Sequence, residues 1–410
     1  MKTRNVVGLI VFLTIIIGSI TGIVIYNIYT SDNIYTGVKA LDGYTLFAPI
    51  AGTTAYLIDM DGNIVHEWGL SGNPGHSVYL LEDGTLLSTY NIVTDHFEGS
   101  GVSGGGLEML DWEGNQLWSY ELSNETFHLH HDVEYMSNGH ILVIAYEKIS
   151  EENALAAGVL SSLVSPYGEV WAEVIFEIDT NTDSIIWQWH VWDHILPEGY
   201  DAQNYPELID PNYPTIRRSA DWLHFNSIDY NEALDQIMLS SRQLNEIWII
   251  DHNTTTAQAA GSAGNLLYRW GNPEAYGESG TRELYGQHDV EWIDSNSSSS
   301  NILLFNNGHT MMQAYSTILE LDVNTPYSYG EVEIIWEYGD SDDEESFFSE
   351  RISGAQRLEN GNTLICSGVE GWFFEVTSDG KKVWEFTYGG SIPDVYRAER
   401  YSLDYSGLLI

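Results

Sequence analysis

The sequence predicts an all-β fold, a six-bladed β-propeller preceded by one N-terminal transmembrane helix. Three observations lead there. One hairpin pattern recurs six times along the chain. A second hairpin pattern recurs between the copies. A single uncharged run, long enough for a membrane-spanning helix, stands before the first repeat.

The uncharged run extends from Val6 to Tyr26, with Lys2 and Arg4 ahead of it. At 1.5 Å per residue it crosses a hydrocarbon core of ~30 Å as a helix. Positive residues on its near side favour a cytoplasmic N-terminus and an exported remainder. A cleaved signal peptide is the competing reading, but no small-x-small site follows in Tyr26 to Thr30. The expected organisation is a cytoplasmic tip and anchor over 1–29, a tether over 30–43, and the propeller over 44–410. That arrangement makes a single-pass protein of the cell membrane with the propeller on the extracytoplasmic side.

The outer repeat is an apolar strand, an Asp, a turn, and a strand ending aromatic-x-aromatic. It reads Ala55 to Asp59 with His66-Glu67-Trp68, then Leu107 to Asp111 with Trp118-Ser119-Tyr120. Phe176 to Asp179 pairs with Trp187-Gln188-Trp189, and Trp248 to Asp251 with Tyr268-Arg269-Trp270. Leu319 to Asp322 pairs with Trp336-Glu337-Tyr338, and Phe373 to Thr377 with Trp384-Glu385-Phe386. The inner repeat runs from His76 to Gly84 and from His131 to Gly139, and continues at Asn226, His288 and Ser353. One inner plus one outer hairpin makes a four-stranded blade. Extra length at Ile149 to Trp171, Trp192 to Trp222 and Arg269 to Gly286 reads as loops over one face.

Composition narrows the function. Asp plus Glu number 60 against 15 Lys plus Arg, a formal charge of −45. So acidic a surface repels phosphate backbones and argues against nucleic acid as a partner. The acidity is spread along the chain, as in a solubility adaptation to salt. A single cysteine, Cys366, precludes any intrachain disulfide.

The repeat register also groups histidines. His76 and His131 lie eight residues before Gly84 and Gly139, and His288 occupies the same repeat position. His224 lies two residues ahead of it, in Asp221-Trp222-Leu223-His224. Equivalent positions of different blades face one another across a propeller's axis. His131, His224 and His288 are therefore expected to meet at one channel mouth. Arg242 ends the strand that follows His224, and a guanidinium beside histidines suits a sulfate, phosphate or carboxylate. His76 reads as a repeat-position residue bonding a neighbouring blade. His130, adjacent to His131 in a strand, is expected on the opposite face as a packing residue. His128, His140, His190, His252 and His309 read as structural or solvent-facing.

These motifs occur together and in order: Phe127 to Val133, Trp192-Asp193-His194, Asp221 to Tyr230, Ser240-Ser241-Arg242 and Gly286 to Val290. The set resembles the arylsulfate sulfotransferase family, nucleotide-independent enzymes of bacteria and archaea, from about Tyr44 onward. The resemblance implies a six-bladed propeller and a ping-pong transfer from a phenolic sulfate donor to a phenolic acceptor through sulfohistidine. It makes His288 the nucleophile. It implies that His131, His224 and Arg242 hold the sulfate oxygens and assist the leaving phenolate. It implies no cofactor and no metal. The alternative from a different class is a non-catalytic cell-surface binding or scaffold propeller.

Overall fold

The computed structural model describes residues 39–97, 104–214, 220–295, 301–323, 325–339 and 347–410. Within them the chain is an all-β, propeller-like arrangement. There are four four-stranded antiparallel sheets and one eight-stranded sheet. The eight-stranded sheet consists of two antiparallel four-stranded halves joined by one parallel bridge, His76 to His131. The expected anchor, Val6 to Tyr26, lies outside the described residues. Among the described residues no helix is long and apolar enough to cross a membrane.

Each sequence repeat lands on the strands expected of it. The outer hairpins include Thr54–Ile58 with Ile64–Gly69, and Gly105–Leu110 with Gln116–Glu121. The Asp that recurs in them organises the turn through its own carboxylate. Asp59 Oδ1 accepts the backbone N–H groups of Asp61 and Asn63 at 2.9 and 2.8 Å. Asp111 does the same for Asn115 at 2.7 Å. In the last repeat the Thr377 hydroxyl takes this role, accepting from Lys381 N at 3.0 Å.

The aromatic that opens each aromatic-x-aromatic pair ties its hairpin to the next sheet or sheet half. Trp118 Nε1 donates to Asp183 Oδ1 at 2.8 Å, and Trp187 Nε1 to Thr254 Oγ1 at 3.2 Å. Tyr268 OH donates to the Glu331 carbonyl at 2.9 Å, and Trp336 Nε1 to the Ser378 carbonyl at 3.0 Å. Trp384 Nε1 reaches the Met60 carbonyl at 2.8 Å, and His66 Nε2 donates to the Trp112 carbonyl at 2.8 Å. The repeat thus records contacts between sheets as well as the form of each sheet.

The apolar core lies between neighbouring sheets. Leu87 and Leu107 pack with Val133, Ile141 and Val143 of the next sheet half. Phe47 packs with Cys366 and Phe373 across the seam where the chain closes. Closure comes from the strand Val395–Ser402, which pairs antiparallel with Gly43–Pro49. This makes Val395–Ser402 the inner strand of the first sheet. The inner strands Pro74–Leu80, Phe127–Tyr135, Phe225–Asn231, His288–Trp292, Gly354–Arg357 and Val395–Ser402 touch in that order, and the last returns to the first. They surround a common axis.

On that axis Arg397 bridges two carboxylates, Asp132 Oδ2 at 2.9 Å and Asp289 Oδ1 at 2.8 Å. Ser77 Oγ and Tyr79 OH also donate to Asp132 Oδ1, at 2.6 and 2.7 Å. One cation so links three inner strands. Arg397→Leu strands both acids, and a buried pair broken on one side costs about 3–5 kcal/mol. Burial, offset in part by Arg397, already raises the Asp289 carboxyl to about 6. A carboxyl raised in the folded state binds its proton more tightly there than in the unfolded chain. The deficit of Arg397→Leu is therefore expected to be largest above that pH and to shrink below it. Denaturation midpoints of both proteins at pH 5 and pH 8 check this.

Of the three insertions, Ile149 to Trp171 is mostly not loop. Strands His140–Ser150 and Glu169–Asp179 supply only its two ends, and the short helices Glu151–Ala156 and Ser161–Leu163 lie between them. The insertion Trp192 to Trp222 is held partly by Arg269. Its guanidinium pairs with buried Glu246 at 2.5 Å and donates to the Leu208 carbonyl at 2.8 Å.

Candidate active site

The histidines are aimed by irregular backbone at the start of the inner strands. The pairing register slips between Leu129 and Val133, between Phe225 and Ser227, and between His288 and Glu291. His131 and His224 adopt left-handed backbone, with φ of 53° and 54°, and Asp289 follows with 53°. Such bulges turn a side chain away from the regular up-and-down alternation. Non-glycine residues hold this backbone only where the surroundings impose it.

The result is a compact group of rings. His76 stacks on His131 with centroids 4.7 Å apart, and His131 meets His224 edge-on at 4.8 Å. Tyr396, from the closing strand, lies 4.8 Å from His76, 6.0 Å from His131 and 6.1 Å from His288. Its hydroxyl donates to the Asn226 carbonyl of another inner strand, so the ring reaches across the axis. Tyr396 is 1% exposed, His288 2% and His131 3%. Tyr396 is thus a floor under the histidines, with the Arg397 layer next along the same strand.

Arg242 directly follows the strand Gln236–Ser241. Its backbone N–H donates to the His224 carbonyl at 3.3 Å, and its Nε lies 3.9 Å from the position a Cβ on Gly286 would take. The guanidinium is partly buried, and among the described residues it makes no ion pair. Its charge nevertheless reaches His288. Burial first, then Arg242, hold the His288 imidazole well below its ordinary range, so it is neutral at neutral pH. His131 is lowered in the same way, first by burial and then by the neighbouring His76 and His224.

Hydrogen bonds decide which nitrogen of His288 is bare. Asn307 Nδ2 donates to the Ser349 and Ile352 carbonyls at 2.8 and 2.7 Å, which orients its amide. Its Oδ1 therefore faces His288 Nδ1 at 2.7 Å, and the Gly286 carbonyl approaches the same nitrogen at 2.9 Å. Both partners are acceptors, so Nδ1 carries the proton. His288 Nε2 is left with an open lone pair. His224 is oriented by Asp221, whose Oδ2 lies 2.5 Å from His224 Nδ1.

The four residues singled out in the sequence, His131, His224, Arg242 and His288, are thus drawn to one place. His194 is not among them. It is buried in the insertion, stacks on Trp189 at 5.2 Å and meets Asn265 at 3.0 Å. His140 and His252 pair with Glu177, and His190 with Glu147. His130 departs from expectation. The bulge cancels the alternation, and His130 Nδ1 lies 2.8 Å from His131 Nδ1. Among the described residues no three His, Cys, Asp or Glu side chains are grouped to hold a metal ion.

Asn307 and Tyr396 escaped the sequence reading. Tyr396 belongs to the strand after the last hairpin, which an account of hairpins alone leaves over. The surplus strand itself was the signal, because a closed ring must complete its first sheet from its last segment. Asn307 carries no repeat signature beyond its place at the end of the strand Asn301–Asn306.

The family model described as Arylsulfotransferase (ASST) matches residues 50–396. The chain belongs to this family. That assignment makes it a transferase of the aryl sulfotransferase type, with phenolic substrates in general. No match is found among the curated proteins compared. Among solved structures, a protein of unknown function from Bacteroides caccae is similar at a TM-score of 0.51 and 14% identity, covering 87% of this chain and 98% of its own. That likeness concerns the fold alone. A virginiamycin B lyase from Staphylococcus aureus aligns at a TM-score of 0.41 and 10% identity, over 88% of this chain and 86% of its own.

Proposed function

We propose that this arylsulfotransferase moves a sulfuryl group from a phenolic sulfate ester to a phenol in two steps, through sulfohistidine at His288. The observation that carries this reading is the bare Nε2 of a neutral His288 beside Arg242. In the first step Nε2 attacks sulfur, the N–S bond forms, and the S–O bond to the donor phenol breaks. In the second step the acceptor phenol loses its proton, attacks the same sulfur, and the S–N bond breaks. Arg242 holds the sulfuryl oxygens as charge shifts between them, and His224, oriented by Asp221, lines the same space. His131 exchanges the proton with the phenol oxygens. Two half-reactions at one nucleophile spare the enzyme from holding both phenols at once.

The architectural reading that goes with it is a six-bladed propeller over 44–410. Counting each half of the eight-stranded sheet as a blade supports it, as does the ring of inner strands. The anchor Val6 to Tyr26 and tether 30–43 would hold that propeller on the outer face of the cell membrane. There a nucleotide sulfate donor is scarce and an aryl sulfate is the more accessible source.

A chromogenic aryl sulfate with a separate phenol acceptor tests the scheme. Initial rates at several acceptor concentrations are expected to give parallel double-reciprocal lines. Donor alone is expected to release one equivalent of phenol per active site in a burst. Intersecting lines without a burst would exclude the covalent route, and no turnover at all would favour a non-catalytic surface propeller.

A further inference from the structure

We propose that Glu173 and His130 are positioning residues that pass a proton to and from His131, so that the site stores the proton moved between the two phenols. This inference rests on the sulfuryl-transfer reading above. The observation behind it is a continuous chain of short contacts. Glu173 Oε2 lies 2.8 Å from His130 Nε2, and His130 Nδ1 lies 2.8 Å from His131 Nδ1. The His130 and Glu173 side chains are both fully buried. Tyr146 stacks on His130 at 3.9 Å and fixes its ring plane.

The chain has two self-consistent states, because neighbouring nitrogens cannot both carry a proton along one hydrogen bond. In one, the Glu173 carboxyl donates to His130 Nε2, His130 Nδ1–H donates to His131 Nδ1, and His131 Nε2 bears a proton. In the other, Glu173 is a carboxylate, each bond is reversed, and His131 Nε2 is bare. Burial favours the first state in the resting enzyme. It raises Glu173 well above the usual carboxyl range, helped by nearby Asp221, and holds His130 well below the usual imidazole range. The second state is accessible because Phe225 N–H donates to Glu173 Oε1 at 2.9 Å and so stabilises the carboxylate. His128, His76 and His224 also face His130, and their charge disfavours an imidazolium there.

The proton balance closes over one turnover. As the S–O bond breaks, the departing phenolate takes the proton of His131 Nε2. His130 replaces it at Nδ1, and the Glu173 proton moves to His130 Nε2. The sulfo-enzyme then holds a Glu173 carboxylate. The acceptor phenol returns a proton to His131 Nε2 while its oxygen attacks sulfur, and the three shifts run backward. His130 and His131 stay neutral in both half-reactions, so neither of these buried rings has to be ionised.

The test is single-turnover phenol release by Glu173→Gln from two donors. One donor has an acidic leaving group, a nitrophenyl sulfate, and the other a basic one, phenyl sulfate. Losing general-acid help costs about 100-fold or more where the leaving group needs a proton. The loss with phenyl sulfate is expected to exceed the loss with the nitrophenyl ester by at least about 10-fold, since a nitrophenolate needs the proton less. His130→Gln, a second variant that also breaks the chain, is expected to show the same differential. Equal losses with both donors in both variants would reduce Glu173 and His130 to structural supports and overturn the relay. Wild-type protein that transfers no sulfuryl group from either donor would instead overturn the sulfotransferase reading, and the relay with it.

Discussion

His288→Asn is expected to lower kcat for aryl sulfate turnover by about 10⁴-fold or more, the scale seen when a covalent nucleophile is removed. Asn can still donate toward Asn307 Oδ1, so the surroundings keep their hydrogen bonds while the bare nitrogen disappears. The burst of phenol seen with donor alone should vanish together with steady-state turnover. The pH dependence of the wild type offers a second reading of the same residue. Burial and Arg242 both push the His288 imidazole down, so it remains an unprotonated nucleophile well into the acidic range. Activity is expected to hold level from neutral pH downward through the ordinary histidine range and to fall only beyond it. Full turnover by His288→Asn would remove this histidine from the chemistry.

Arg242→Met carries the second large expected effect, a fall in kcat of about 10²–10³-fold, as for other groups that face charge developing in a transition state. The variant also has a signature that a folding defect would not produce. The guanidinium is one reason that His288 resists protonation. Without it the imidazole binds a proton more readily, so the acid limb of the rate profile should move to higher pH. Arg242→Lys keeps the charge and loses the planar fork. It should restore the position of the acid limb without restoring the rate. A rate profile unchanged in position in Arg242→Met would place the guanidinium away from His288.

The parts of this molecule that repeat were legible in the sequence because their causes are local. An Asp that accepts its own turn's N–H groups, and an aromatic that reaches the next sheet, leave the same mark each time. The histidines could be sorted by the same register, and His131, His224 and His288 did converge. What register could not convey was the bulge. Regular alternation sends His130 and His131 to opposite faces, and one slip of pairing brings their rings together. Asn307 and Glu173 were hidden for a different reason. Each matters through one partner distant in sequence, and neither position recurs from blade to blade. Glu173 was nevertheless visible as an anomaly, an acid inside the otherwise apolar run Val170 to Phe176. A charge in such a run demands a partner, which here is an imidazole.

The floor of the site has a consequence for how the molecule is made. Tyr396 lies on the strand Val395–Ser402, which leaves the ribosome after the other inner strands of the ring, and it pairs with Gly43–Pro49 from the opposite end of the ring. The histidines of the earlier strands can be in place, yet they line an open gap until that strand arrives. Joining the two ends of the sheet order and covering the underside of the reactive imidazoles are then one event. A partly synthesised or unclosed chain would have no finished pocket in which to hold an activated sulfuryl group, so reactivity is timed to the completion of folding.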